Sequence, residues 1–165
     1  MDLPSGYDLR YTEPGDLVFL KQWLLEPGTL HWLPMSEGRE LDEASQGWIS
    51  FSKFNASLTA VIDDEPCALG TLFLMPYKKV AHECLIKLVV SSKWRQNGIG
   101  TSLLKNLIHL AKTKFKLKIV YFELVEGSPL EKILQNLDFK LEARQEGYFK
   151  ENGQYFARLI YDKEI

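Results

Sequence analysis

The sequence predicts an α+β fold, a mixed and mostly antiparallel sheet of about seven strands flanked by about four helices. Three observations lead there. Apolar runs of strand length recur along the chain, separated by clusters of Pro, Gly and Asp. One long segment, from Ile99 to Phe115, repeats its apolar residues at three- and four-residue steps. Strands alternate with helices in two places, and such crossovers join parallel neighbours. All 165 residues read as a single domain.

Tyr7 to Tyr11 alternates as a short strand and stops at Pro14-Gly15. Asp16 is placed to cap a helix running to Leu25, with Leu17, Leu20, Trp23 and Leu24 on one side. Pro27-Gly28 ends it. Thr29 to Arg39 reads as a loop, and Leu41 to Phe54 as a second helix. Ser57 to Ile62 and Cys67 to Met75 form a hairpin about Asp63-Asp64-Glu65. Glu83 to Val90 is the most apolar strand, and apolar residues on both faces predict a central, buried one. After the long helix, Ile119 to Val125 is another apolar strand, and Pro129 suits the start of a short helix to Leu137. Phe139 to Tyr148 and Gln154 to Tyr161 close the chain as a hairpin, because Asn152-Gly153 favours a tight primed turn.

Composition excludes several classes. A net charge of -2 gives no basic excess for nucleic acid. No run of about eighteen apolar residues is present for a membrane span. The stretch Met1 to Tyr11 lacks a basic region followed by an apolar one, so no secretory signal is expected there. Cys67 and Cys84 have no disulfide-framework or metal-ligand spacing. Together these predict a cytoplasmic protein with reduced thiols.

The segment with chemistry is Leu88 to Thr101, reading Leu-Val-Val-Ser-Ser-Lys-Trp-Arg-Gln-Asn-Gly-Ile-Gly-Thr. A buried strand ends, a short loop follows, and two glycines open a long helix. A helix start leaves backbone N–H groups without partners, at the positive end of the dipole. Glycines let a phosphate approach those groups, so Arg95, Gln96, Asn97, Gly98, Ile99, Gly100 and Thr101 form an anion cradle suited to a pyrophosphate. A dinucleotide fingerprint would need glycine where Leu103 stands, and a P-loop would need Gly-Lys-Ser/Thr, which is missing.

Arg95-x-x-Gly98-x-Gly100 resembles the pyrophosphate-binding motif of the Gcn5-related N-acetyltransferase (GNAT) superfamily, and the element order resembles that fold from Tyr7 to Tyr161. The resemblance implies acetyl-coenzyme A as co-substrate. It implies that the strand Glu83–Val90 splays from the strand Ile119–Val125, and that Leu88, Val89 and Val90 hold the pantetheine arm through the backbone of Leu88 and Val90. It further implies direct attack by a neutral primary amine on the acetyl carbonyl. The stretch Gly127 to Phe139 resembles the family's Asn-x-x-Ala-x-x-x-Tyr-x-x-x-Gly-Phe pattern with changes. Gly127 or Ser128 stands for the Asn, Leu130 for the Ala, Leu134 for the Tyr and Asp138 for the Gly. Ser128 therefore joins the cofactor-binding set, and the family's usual acid is missing.

A base and an acid must then come from elsewhere. Glu123, near the end of a central strand, resembles the Glu of ribosomal-protein alanine acetyltransferases. Glu83 lies close to where histone-type members keep a glutamate, one residue out of register. Tyr148 or Tyr155 on the last hairpin, or a water, is the candidate acid. For the acceptor, the resemblance points to the first two helices and the last hairpin, with Trp23, His31, Trp32, Met35, Trp48 and Phe51 there. The loop Thr29–Arg39 is the candidate wall. Glu26, Glu37 and Glu40 would favour a cationic amine. The alternative is a coenzyme A-binding sensor or interaction module without turnover. Dimers are frequent among relatives, and the final hairpin offers an edge for a homodimer.

Overall fold

The computed structural model describes residues 2–165. Its seven strands form one sheet, β1 (Tyr7–Tyr11), β2 (Ser57–Ile62), β3 (Glu65–Leu74), β4 (Glu83–Val90), β5 (Ile119–Val125), β6 (Lys140–Glu151) and β7 (Gln154–Glu164). Four α-helices flank it, α1 (Leu17–Leu24), α2 (Arg39–Ser50), α3 (Ile99–Thr113) and α4 (Leu130–Asn136). The spatial order is β1-β2-β3-β4-β5-β7-β6. Every neighbouring pair is antiparallel except β4 and β5. Of the two crossovers, only β4-α3-β5 joins neighbours. In the second, the tight turn at Asn152-Gly153 folds β7 back into the slot beside β5 and leaves β6 as the outer edge.

Two apolar layers sandwich the sheet. On one face Ile86 and Leu88 of β4 pack with Leu103, Leu104 and Leu107 of α3 and with Leu134 of α4. On the other, Leu69 and Val89 pack with Leu20, Trp23 and Leu24 of α1 and with Trp48 of α2. The period-2 side-chain alternation of β4 thus feeds both layers. The thiols of Cys67 and Cys84 are buried, and burial pushes them up to about 11 and about 12 respectively, so both are unreactive near neutrality.

Asp16 does more than its position before α1 suggests. Its side chain makes no cap to that helix. It reaches back to accept the Glu13 N–H at 3.0 Å and the Thr59 hydroxyl at 2.9 Å. Both its oxygens also accept from Arg10, at 2.8 and 2.9 Å. The carboxylate, 3 % exposed, therefore ties β1 and β2 to the start of α1. Burial pushes its pKa up, but the Arg10, Glu13 and Thr59 hydrogen bonds outweigh burial and hold it below the ordinary carboxylate value.

Replacing Asp16 with Asn should cost about 2 kcal/mol at neutral pH, the scale of a lost charged hydrogen-bond set. Because the folded-state pKa is depressed, the native contribution is complete above the unfolded carboxylate value of about 4 and is lost as pH falls through the lower folded one. Urea unfolding at neutral and acidic pH checks this: the gap between native and variant should narrow on acidification.

Candidate active site

β4 and β5 pair over only three positions, Glu83 with Ile119, Cys84 with Val120 and Leu85 with Tyr121, and then part. Beyond the fork β3 still covers one side of β4 as far as Val90. The Ser91 N–H donates to Cys67 O at 2.9 Å, which fixes the alternation of that ladder. Lys87 and Val89 therefore turn their backbone groups to β3, while Ile86, Leu88 and Val90 turn theirs into the gap. A free strand edge results, the kind of surface that an extended amide chain can pair with. Val90 O is already taken by Arg95 Nε at 3.1 Å, leaving the N–H of Val90 and both groups of Leu88.

That edge runs into the mouth of α3. Gly98 precedes the helix at φ 79°, a left-handed value that costs a side chain dearly. The first helical bond runs from Ser102 N–H to Gly98 O, and no side chain caps the N-terminus. The N–H groups of Ile99, Gly100 and Thr101 are thus left without an intrahelical acceptor. A methyl built on Gly100 would meet only Val90 at 3.6 Å and Ile133 at 3.9 Å, so the glycine leaves open space beside the helix start. The Arg95 guanidinium also donates to Thr29 Oγ1 at 3.2 Å, which pins the loop to the end of α1. Glu26 does likewise, accepting from the Ser92 N–H at 3.1 Å. That contact engages Glu26, which the sequence had offered as an attractor for a cationic acceptor.

Edge and helix mouth share one cleft of about 1260 Å³. Leu88, Val89, Val90, Arg95, Gln96 and Gly98 line it, as do Gly100, Thr101 and Ser128. The Val89 backbone faces β3, so Val89 presents only its side chain. The Ser128 hydroxyl accepts the Leu130 N–H at 3.2 Å and so belongs to the start of α4. Asn97 and Ile99 do not line the cleft: Asn97 donates back to Arg95 O at 3.0 Å, and the Ile99 side chain is buried in the core. Ile99 contributes its N–H alone.

The other end of the cleft is walled by Trp32, Leu33 and Pro34 from the loop after α1, by Trp48, and by Tyr148 and Phe149 of β6. His31 holds this loop closed, sharing a hydrogen bond of 2.8 Å with Glu151 at the hairpin tip and packing edge-on against Phe156. Tyr148 arrives there through an irregularity. Gln145 pairs with Arg158 and Phe149 with Phe156, so three residues of β6 stand opposite Ala157. Gly147, at φ 64°, makes the bulge.

Three of the side chains here act as a unit. Arg158 donates to Glu123 Oε1 at 3.0 Å and to the Tyr148 hydroxyl at 3.3 Å, with its guanidinium carbon 4.2 Å from the centre of the Tyr148 ring. Both Glu123 and Tyr148 line the cleft, and Oε2 of Glu123 has no hydrogen-bond partner among the described residues. Glu83 is placed apart from them. It sits at the closed end of the β4–β5 pair and does not line the cleft. Tyr155 lies on the exposed hairpin and does not line it either.

A model of the acetyltransferase (GNAT) family matches residues 17–128, more than half of the chain. The chain belongs to the GNAT acetyltransferase family. The co-substrate of this family is acetyl-CoA. No curated protein matches the sequence. Among solved structures, yncA from Salmonella typhimurium, determined with its cofactor acetyl-CoA, superposes with a TM-score of 0.81 at 12% identity, over 97% of this chain and 94% of that one. An N-acetyltransferase from Staphylococcus aureus Mu50 gives 0.82 at 16% identity, over 97% and 99%. A ribosomal-protein-alanine N-acetyltransferase from Brucella melitensis gives 0.80 at 18%, over 96% and 99%. At these identities the likeness is one of fold.

Within the GNAT fold, the position resembling the family's tyrosine is Leu134, 0 % exposed and packed in the core. Its neighbour Ile133 lines the cleft, as do Leu130, Lys132 and Asn136 of the same helix. Sequence reasoning had missed Lys87 and Arg158. Lys87 was visible as a single cation inside an apolar strand, and Arg158 only through its cross-strand position.

Gly98→Val should leave the fold intact, with a cost of about 1–2 kcal/mol for a left-handed side chain, and should remove coenzyme A binding. Calorimetry on folded variant protein checks it, and retained tight binding would discount the loop.

Proposed function

We propose that the protein is an acetyl-CoA-dependent N-acetyltransferase that moves the acetyl group to a primary amine by direct attack. One observation supports this above the rest: the free edge of β4 and the unpaired N–H groups of α3 open onto one cleft. Leu88 and Val90 suit an extended pantetheine, whose amides would continue the ladder. The amides of Ile99, Gly100 and Thr101 suit a diphosphate. A thioester laid along β4 ends near the fork, between Glu123 and Tyr148.

On this reading the neutral amine attacks the carbonyl carbon, a C–N bond forms and the C–S bond breaks. Glu123 accepts the surplus amine proton, directly or through water at Oε2, and the Tyr148 hydroxyl gives a proton to the departing sulfur. Arg158 is a positioning residue for both. The buried Leu134 favours a second reading, a coenzyme A-binding module without turnover. Release of free thiol from acetyl-CoA, dependent on an added amine, separates the two.

Glu123→Gln should lower kcat by about a hundredfold with acetyl-CoA affinity unchanged, and Tyr148→Phe by about tenfold or more. Steady-state thiol release beside calorimetry tests both. If both variants kept full kcat, neither role would stand.

A further inference from the structure

The end of the molecule remote from the helix mouth carries a group of lysines that do not line the cleft. Lys114, Lys116 and Lys118 follow α3, Lys53 lies just before β2, and Lys78 and Lys79 lie between β3 and β4. The fold draws these separate segments together. Lys114 Nζ sits 5.1 Å from the centre of the Tyr11 ring, at the end of β1, and donates to Phe54 O at 3.4 Å. The Lys118 N–H donates to His82 O at 2.7 Å, which joins the turn after α3 to the β3–β4 connection. α3 has 15 residues and spans about 22 Å, so this end is well removed from the unpaired N–H groups at its start.

Among the described residues none of these lysines forms an ion pair. Carboxylates only border them: Glu83 and Glu164 flank Ile119 across the ladder, and Glu13 follows Tyr11 by two positions. At the opposite end of the sheet the turn after β2 carries Asp63 and Asp64, with Glu65 next. The net charge of -2 therefore averages over a basic end and an acidic turn. Aromatic rings stand among the lysines. Phe54 is 52 % exposed, with Lys53 Nζ 5.2 Å from its centre. Tyr77, beside Lys78, is 74 % exposed. Such a surface offers positive charge to phosphates and flat π-faces to bases.

We propose that this end binds single-stranded nucleic acid, with phosphates on the lysines and bases stacked on Tyr77 and Phe54. Lysines act as point charges and hold phosphates without reading bases, so the binding is tolerant of sequence. The shape favours a strand over an anionic lipid surface, which shares the charge chemistry. Ser57 at the start of β2 pairs with Thr71, whereas β3 runs on to Leu74. The β3–β4 connection thus projects about 10 Å past the start of β2. Lys78 and Lys79 stand on the projecting step, and Lys53 and Lys114 on the lower one. A flexible strand follows such a step, and a flat bilayer meets only its top. The expectation of no nucleic acid, drawn from net charge, is set aside because net charge does not register how charge is segregated. Lying outside the cleft, the surface is independent of the acetyltransferase reading and leaves the coenzyme A site open.

The test is fluorescence anisotropy of the full chain with labelled uridine and adenosine strands of about twelve nucleotides, across a salt series. Both strands should bind, and log affinity should fall against log salt with a slope of about -2 to -3, that of three or four neutralised phosphates. The combined variant Lys53→Gln, Lys79→Gln and Lys118→Gln should flatten that slope and weaken binding about tenfold or more. Tyr77→Ala should weaken it about tenfold at an unchanged slope, because it removes stacking and no charge. These side chains are exposed, and thermal unfolding checks that each variant folds like the parent. Parallel samples contain phosphatidylserine vesicles, polyglutamate or a duplex of the same length. No binding of either strand at low salt overturns the proposal, as does full affinity in the triple lysine variant. Preference for vesicles assigns the surface to lipid instead, and equal binding of polyglutamate or duplex removes the role of the rings; either result also overturns it.

Discussion

The three-residue contact between β4 and β5 divides the sheet into two halves. β4 is paired with β3 along seven positions, and β5 with β7 along its full length. Each strand is therefore held firmly on its outer side and weakly on its inner side. Sheet twist rotates successive strands relative to one another, and two strands so anchored separate once their shared ladder ends. The fork opens a gap in an otherwise continuous sheet, and the two apolar layers keep it open. α3 supports the β4 side from one face, and α1 and α2 from the other. The cleft is the consequence of that parting, since its wall includes Ile86 to Val90 of β4 and Phe122 to Val125 of β5, whose facing edges a closed sheet would have paired.

The fork also explains which side chains carry charge. In a closed sheet Lys87 and Glu123 would sit on neighbouring central strands with no water nearby, an expensive place for either. At the fork each borders the cleft. Glu123 is stabilised from the β7 side, where cross-strand register sets Arg158 within 3.0 Å. Lys87 has only the face of Phe73, a modest cation–π contact. The asymmetry follows from the division of the sheet: the β5 half supplies its own counter-charge, and the β4 half does not.

What could be read in the sequence was what depends on short spacing. Gly98 and Gly100 announce a helix mouth, and the strand before them is apolar on both faces, so the strand, the loop and the uncapped start of α3 were legible from a dozen consecutive residues. Glu123 was legible as a carboxylate near the end of a central strand. Other features depend on distant partners. Asp16 stood where a cap belongs, but its ligands Arg10 and Thr59 come from β1 and β2. Glu83 and Glu123 looked alike along the chain, and only the fork distinguishes its closed end from its open one. Lys87 did break the local rule, as a charge inside the run Leu85 to Val90, and such inconsistencies concentrate at functional sites. Its surroundings were not legible, because the Phe73 ring beneath its ammonium comes from β3.

The same contrast bears on the missing tyrosine. Leu134 points into the core, so helix α4 lines the cleft with Leu130, Lys132, Ile133 and Asn136 and offers no phenol there. On the proposed mechanism the acid is carried instead by β6, whose bulge at Gly147 brings Tyr148 over the edge of β7. That relocation puts acid and base on one guanidinium. Arg158 donates to a carboxylate and to a phenol at once. One cation therefore positions both the group proposed to take the amine proton and the group proposed to return a proton to the sulfur, so that the two ends of the exchange are held in one fixed relation: the amine loses its proton, and the sulfur gains one.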